Sequence, residues 1–188
     1  MGDHKQALEY YKKALALREK VLGKEHPSTA TTYNNIAVLY HDMGNHEQAL
    51  EYYKKALAIR EKVLSKEHPD TATTYYNIAV LYQDMGEHEQ ALDYYKKALA
   101  IREKVLGKEH PDTATTYHNI AALQFKLENY DDAAQYMAAA LKIYSLRNME
   151  KDVCDELEGL NIVYSAKGGK PEGFQAWLDA LLASPELP

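Results

Sequence analysis

Apolar residues in the middle of the chain recur at Tyr75, Ile78, Ala79, Tyr82 and Met85, three and four positions apart. That spacing places side chains on one face of an α-helix. Pro69-Asp70 before Thr71 supplies its start, with the Asp70 carboxylate expected to accept from orphan N–H groups of the first turn. Gly86 predicts its end, because glycine tolerates the positive φ of a C-terminal cap. A second stripe, Ala91, Leu92, Tyr95, Ala98, Leu99, Ile101 and Val105, predicts another helix over about residues 87–106. Gly107-Lys108-Glu109-His110-Pro111 then ends that helix and resets the chain for the next pair.

The pattern has a period of 42 residues. Blocks 27–68 and 69–110 differ at six positions: Ser28/Asp70, Asn34/Tyr76, His41/Gln83, Asn45/Glu87, Glu51/Asp93 and Ser65/Gly107. A third block, 111–150, keeps Thr113 to Tyr117 and then diverges, with Gln124 for a tyrosine and Glu128 for the stop glycine. A fourth, 151–188, is recognisable from Leu157, Leu160, Tyr164, Gly168, Trp177, Ala180-Leu181 and Pro185. Met1-Gly2-Asp3-His4 aligns with Met43-Gly44-Asn45-His46, so residues 1–26 are expected to hold only the second helix of a truncated repeat, and we read the chain as a fragment of a longer array. Ala37 with Ala49, Ala79 with Ala91, and Ala121 with Ala133 are expected where two helices approach closely. The whole predicts an all-α, single solenoid of antiparallel helix pairs, about nine helices in all.

Composition adds one oddity and several exclusions. Sixteen tyrosines stand against two phenylalanines and one tryptophan, and the period explains them, because copying one packing unit copies its tyrosines. Only Tyr144 falls off the pattern. No apolar run reaches the ~20 residues of a membrane span, and no signal-peptide core is present, so a soluble, cytoplasmic protein is expected. Cys154 is the only cysteine, which leaves no intramolecular disulfide and no thiolate metal site. The histidines at 4, 46 and 88 and those at 26, 68 and 110 are spaced a full repeat apart, too far to share one ion with ~2 Å bonds. His41 and His46 flank a turn but lack a third ligand. Gly168-Gly169-Lys170-Pro171 lacks the spacing of a phosphate loop. Without a nucleophile–base set or paired carboxylates, neither an enzyme nor a cofactor is expected. The net charge of −6 argues against nucleic acid. Eight acidic and three basic residues lie within 149–188, so nearly all of that imbalance sits in the last repeat.

With these residues in place, the chain resembles tetratricopeptide repeat proteins. Tyr75, Ile78-Ala79, Tyr82, Gly86, Ala91, Tyr95 and Ala98-Leu99 match the framework of that family. The long second helix, with Ala98-Leu99-Ala100-Ile101-Arg102-Glu103-Lys104-Val105-Leu106-Gly107 followed by His110-Pro111-Asp112, is similar to the 42-residue repeats of kinesin light chains and nephrocystin.

The resemblance implies a right-handed superhelix whose first helices line a concave groove for peptides. The implied groove positions are Thr31, Asn34, Asn35, Val38 and His41; Thr73, Tyr76, Asn77, Val80 and Gln83; Thr115, His118, Asn119, Ala122 and Phe125; and Asp155, Glu158 and Ile162. Two of the six repeat differences, 34/76 and 41/83, fall among them; tuning of a binding surface and drift at exposed sites both stay open. Asn35, Asn77 and Asn119 form a ladder whose amides either bind a ligand backbone or join adjacent helices. Asn34, Val38, Asn77, Thr115 and Asn119 stand where chaperone-tail clamps carry cations, and only Lys126 lies near, which argues against an acidic ligand. Asp155 and Glu158 argue for a ligand with a basic segment. The expected function is therefore a noncatalytic peptide- or protein-binding adaptor. The alternatives are a solenoid that self-associates through exposed terminal helices and a regulatory fragment of a larger signalling protein.

Overall fold

A computed structural model describes residues 2–184, with the side chains of residues 2 and 3 left aside. Nine α-helices and one 3-10 turn are present among the described residues, and no strand. The helices are α1 (Gly2–Val21), α2 (Pro27–Asp42), α3 (His46–Val63), α4 (Pro69–Asp84), α5 (His88–Val105), α6 (Pro111–Lys126), α7 (Tyr130–Leu146), α8 (Glu150–Ala166) and α9 (Phe174–Ala183), with the 3-10 turn at Pro171–Gly173 before α9. The chain divides into two compact units, residues 1–101 and 102–188.

In the first unit the small residues do what their spacing predicts. Ala37 and Ala49 are fully buried in one cluster with Tyr53, Ile78 and Leu81, where α2, α3 and α4 meet. Ala79 and Ala91 are fully buried as well. Ile36 and Ile78, both fully buried in this unit, each contribute roughly 1.5 to 3 kcal/mol by leaving water. In the second unit Ala121 and Ala133 share a core with Met137, Leu141, Leu160, Val163 and Leu178, against which Trp177, Phe174 and Leu181 pack. Tyr164 and Trp177 lie 5.0 Å apart, ring to ring.

Several local expectations are corrected. The N-cap of α4 is His68, not Asp70: the His68 ring Nδ1 accepts from the Asp70 backbone N–H at 3.1 Å. His26 and His110 cap α2 and α6 in the same way, each accepting at 3.1 Å. The proline at the first helical position has no N–H to satisfy, so the donor two residues after the cap takes the ring nitrogen. Met85 lies just past the end of α4 and Val105 in the last turn of α5, and both are exposed rather than buried. Ala180 is exposed too, while Pro185 lies outside the described residues.

First helices end in left-handed residues: Gly44 and Gly86 as the pattern predicts, and Glu128 at φ 61° where glycine was lost.

Candidate ligand surface and the junctions that position it

The first helices carry the candidate surface, and each copied linker fixes one of them by the same four side chains. Arg60, near the end of α3, is buried, and its guanidinium donates to the Asp70 carbonyl at 2.8 Å and to Thr74 Oγ1 at 2.6 Å. Arg18 reaches Ser28 and Thr32 of α2 alike, and Arg102 reaches Asp112 and Thr116 of α6. The neighbouring glutamates complete the set, with Glu19, Glu61 and Glu103 accepting from the hydroxyls of Tyr33, Tyr75 and Tyr117. Burial, and next the bond to Glu19, pushes the Tyr33 phenol up to about 12, so it stays a donor. The Arg-Glu of the long second helix is thus a clamp on the helix that follows.

In the first unit the candidate residues divide by burial. Asn34 is buried and accepts from Asn77 Nδ2 at 3.3 Å, which joins α2 to α4. Asn35, Val38, Val80 and Asn77 are half-buried. His41 Nε2 bonds Asp84 Oδ2 at 2.7 Å, and its ring lies edge-on to His46 at 5.9 Å. Tyr76 stands edge-on to Tyr95 at 5.5 Å, and Gln83 accepts from the Tyr95 hydroxyl at 3.2 Å. Thr31 and Thr73 return their hydroxyls to Pro27 and Pro69, one turn back. Thr31 also accepts from Arg60 at 3.4 Å.

In the second unit Thr115 bonds Pro111 one turn back, while Asn119, Ala122 and Phe125 are half-buried, the last ring 5.5 Å from Tyr130. Asp155, Glu158 and Ile162 are exposed on α8. A short polar contact joins α6 to α8: His118 Nδ1 lies 2.5 Å from Glu156 Oε1. The bond to Glu156 raises the His118 imidazole above its usual range against an opposing effect of burial, and Asp155 and Asp152 add to the rise. Glu156 is 1% exposed, and its second oxygen is buried with no hydrogen-bond partner.

Sequence reasoning missed Glu156 while naming its neighbours. A signal existed: in repeat register it occupies the slot of Thr32, Thr74 and Thr116, each fully buried, so a carboxylate there had to be buried too. Among the described residues no group of three side chains is arranged to hold a metal ion, and no helix is long and apolar enough to cross a membrane.

Helix pairs in tandem, clamped at a fixed period through the copied repeats, define an all-α repeat solenoid. The tetratricopeptide repeat family model matches residues 1–62, 30–104 and 70–145. The chain belongs to the tetratricopeptide repeat family and is of the kinesin-light-chain type. It is similar to BtubC (BKLC) from P. vanneervenii, with 27% identity over 97% of this chain and 74% of that one and a TM-score of 0.82. It is also similar to a putative kinesin light chain of Podosopora anserina with nearly identical repeats, with 25% identity over 97% and 88% and a TM-score of 0.78. RapI shares the fold at 19% identity over 95% and 64%, with a TM-score of 0.78. No curated protein matches the sequence. Proteins of this family are in general noncatalytic scaffolds.

Proposed function

We propose that the protein is a noncatalytic scaffold or adaptor that binds a protein or peptide segment along the exposed side of its first helices. The observation that carries this reading is the half-buried stripe of mixed character on those helices. Asn35, Val38, Asn77 and Val80 in the first unit, and Asn119, Ala122 and Phe125 in the second, are neither core nor fully solvated. Amides next to small apolar patches suit a peptide backbone with side chains lodged between them. Asn77 already spends one N–H on Asn34, which leaves a second N–H and an acceptor oxygen for a ligand. The exposed carboxylates Asp155 and Glu158 favour a basic segment at that end.

A peptide-display screen on the wild type and on Asn77→Ala with Asn119→Ala tests this. Hits that lose about tenfold or more in the double variant support it, as expected for two lost hydrogen bonds at roughly 0.5 to 1.5 kcal/mol each. Hits indifferent to the substitutions sink it.

A second reading, self-association through a terminal helix, is favoured by α1, where Tyr10, Leu17 and Val21 are each more than 60% exposed. Light scattering separates the two readings, because a monomer at high concentration removes the second.

A further inference from the structure

We propose that the Glu156 carboxylate is a receptor for one lysine or arginine side chain of a bound partner, and that His118 is a built-in cation which that side chain displaces. This rests on the peptide-binding reading above and names what the second unit recognises.

Three observations support it. Glu156 is buried in a slot where every other repeat holds a neutral threonine, so this carboxylate is foreign to the packing that the repeats share. One of its oxygens, Oε2, is buried without a hydrogen-bond partner, an unmet acceptor that a second donor would satisfy. The group bonded to the other oxygen, His118, keeps 46% of its side chain in solvent. For the ligand's cation to reach the carboxylate, that imidazole must rotate outward and admit it. Asp152 and Asp155 on the same helix bear on His118 in the same sense as Glu156, so the approach is electronegative from every group that acts on it. A guanidinium or ammonium brings several donors where the imidazole brings one.

The sign of the pH dependence follows. Protonated His118 pairs with Glu156 and competes with the ligand, and neutral His118 competes weakly. Affinity for a basic peptide therefore rises as pH rises through the titration of His118, and binding releases a proton in the window between the titration of the displaced imidazole and that of the paired one.

The probe is acetylated, amidated tetralysine, titrated into the full chain at about pH 6 and about pH 8 while the His118 imidazole resonance is followed by NMR. The expected result is a saturable shift at His118 with affinity at least about fivefold tighter at the higher pH, a change that the loss of one competing charge can supply. Glu156→Gln, which keeps the shape, is expected to lose about tenfold, and His118→Asn to bind alike at both pH values. Absence of binding, or binding equal at both pH values in the wild type, overturns the proposal. So does binding unaffected by Glu156→Gln, in a variant whose thermal melt shows that it folds. Display-selected peptides that depend on Asn77 and Asn119, together with tetralysine that ignores Glu156, would overturn this inference alone. The opposite pattern would remove the asparagine reading and leave this one standing.

Discussion

The junction between α3 and α4 and the junction between α7 and α8 perform the same task with different chemistry. At the first, Arg60, Glu61, Thr74 and Tyr75 form two hydrogen-bonded pairs across the linker, and His68 caps the next helix. At the second, the same register holds Tyr144, Ser145, Glu156 and Leu157, the linker is shorter by two residues, and Met149 gives α8 no side-chain cap. Where a tyrosine–glutamate pair fills the copied junctions, Ser145 and Leu157 instead line an open apolar cavity of about 530 Å³ with Leu141, Leu146, Val153 and Leu182. The copied junction is held by two hydrogen-bonded pairs across its linker, whereas at the last one Glu156 pairs with His118 of α6 instead.

The largest expected effect comes from breaking the copied junction. Arg60→Ala removes the guanidinium's bonds to the Asp70 carbonyl and to Thr74 Oγ1, which keep only their bond to each other, and opens a buried hole, so denaturant unfolding should show a loss of about 3 kcal/mol. Ala79→Leu comes next, since four-carbon bulk has no room where Ala79 is fully buried. Overpacking there should cost on the order of 1 to 3 kcal/mol and lower the melting temperature; an unchanged melt would refute the close helix approach.

Ser65→Gly should act in the opposite direction. Ser65 holds φ 107° where Gly23 and Gly107 hold the equivalent positions, and glycine should stabilise by about 1 kcal/mol, less the bond from Glu67 N to Ser65 Oγ. The smallest effect is on pH. Because His118 is raised when folded, its contribution is fully present below about pH 6.5 and is lost as pH rises through its folded value. Thermal melts of the wild type should therefore fall slightly over that window, and those of His118→Asn should not.

The copied half was the more legible in sequence. Its alanines, its stop glycines and its helix spans follow from period and volume, because each acts through local geometry. Four features were not legible. The histidine cap displaced Asp70 because proline at the first helical position shifts which backbone N–H needs an acceptor. Asn34 was expected on the surface but lies buried against Asn77, a contact 43 residues away. Val105 reads as part of an apolar stripe, yet α5 ends on it and leaves it 46% exposed. Glu156 was obscured by its acidic neighbours, and only the register of the buried threonines singles it out.

The ring contact between Trp177 and Tyr164 gives the molecule an optical asymmetry. All the indole emission of the chain arises from one place, the last helix, beside a tyrosine that can pass excitation to it. The other tyrosines are distributed over α1 to α7. Excitation at the red edge, where phenols do not absorb, therefore reports the last repeat alone, while circular dichroism reports every helix. If the unclamped junction is the weaker one, the indole signal will change before the helical signal does, and a single unlabelled sample will show the order in which the repeats let go.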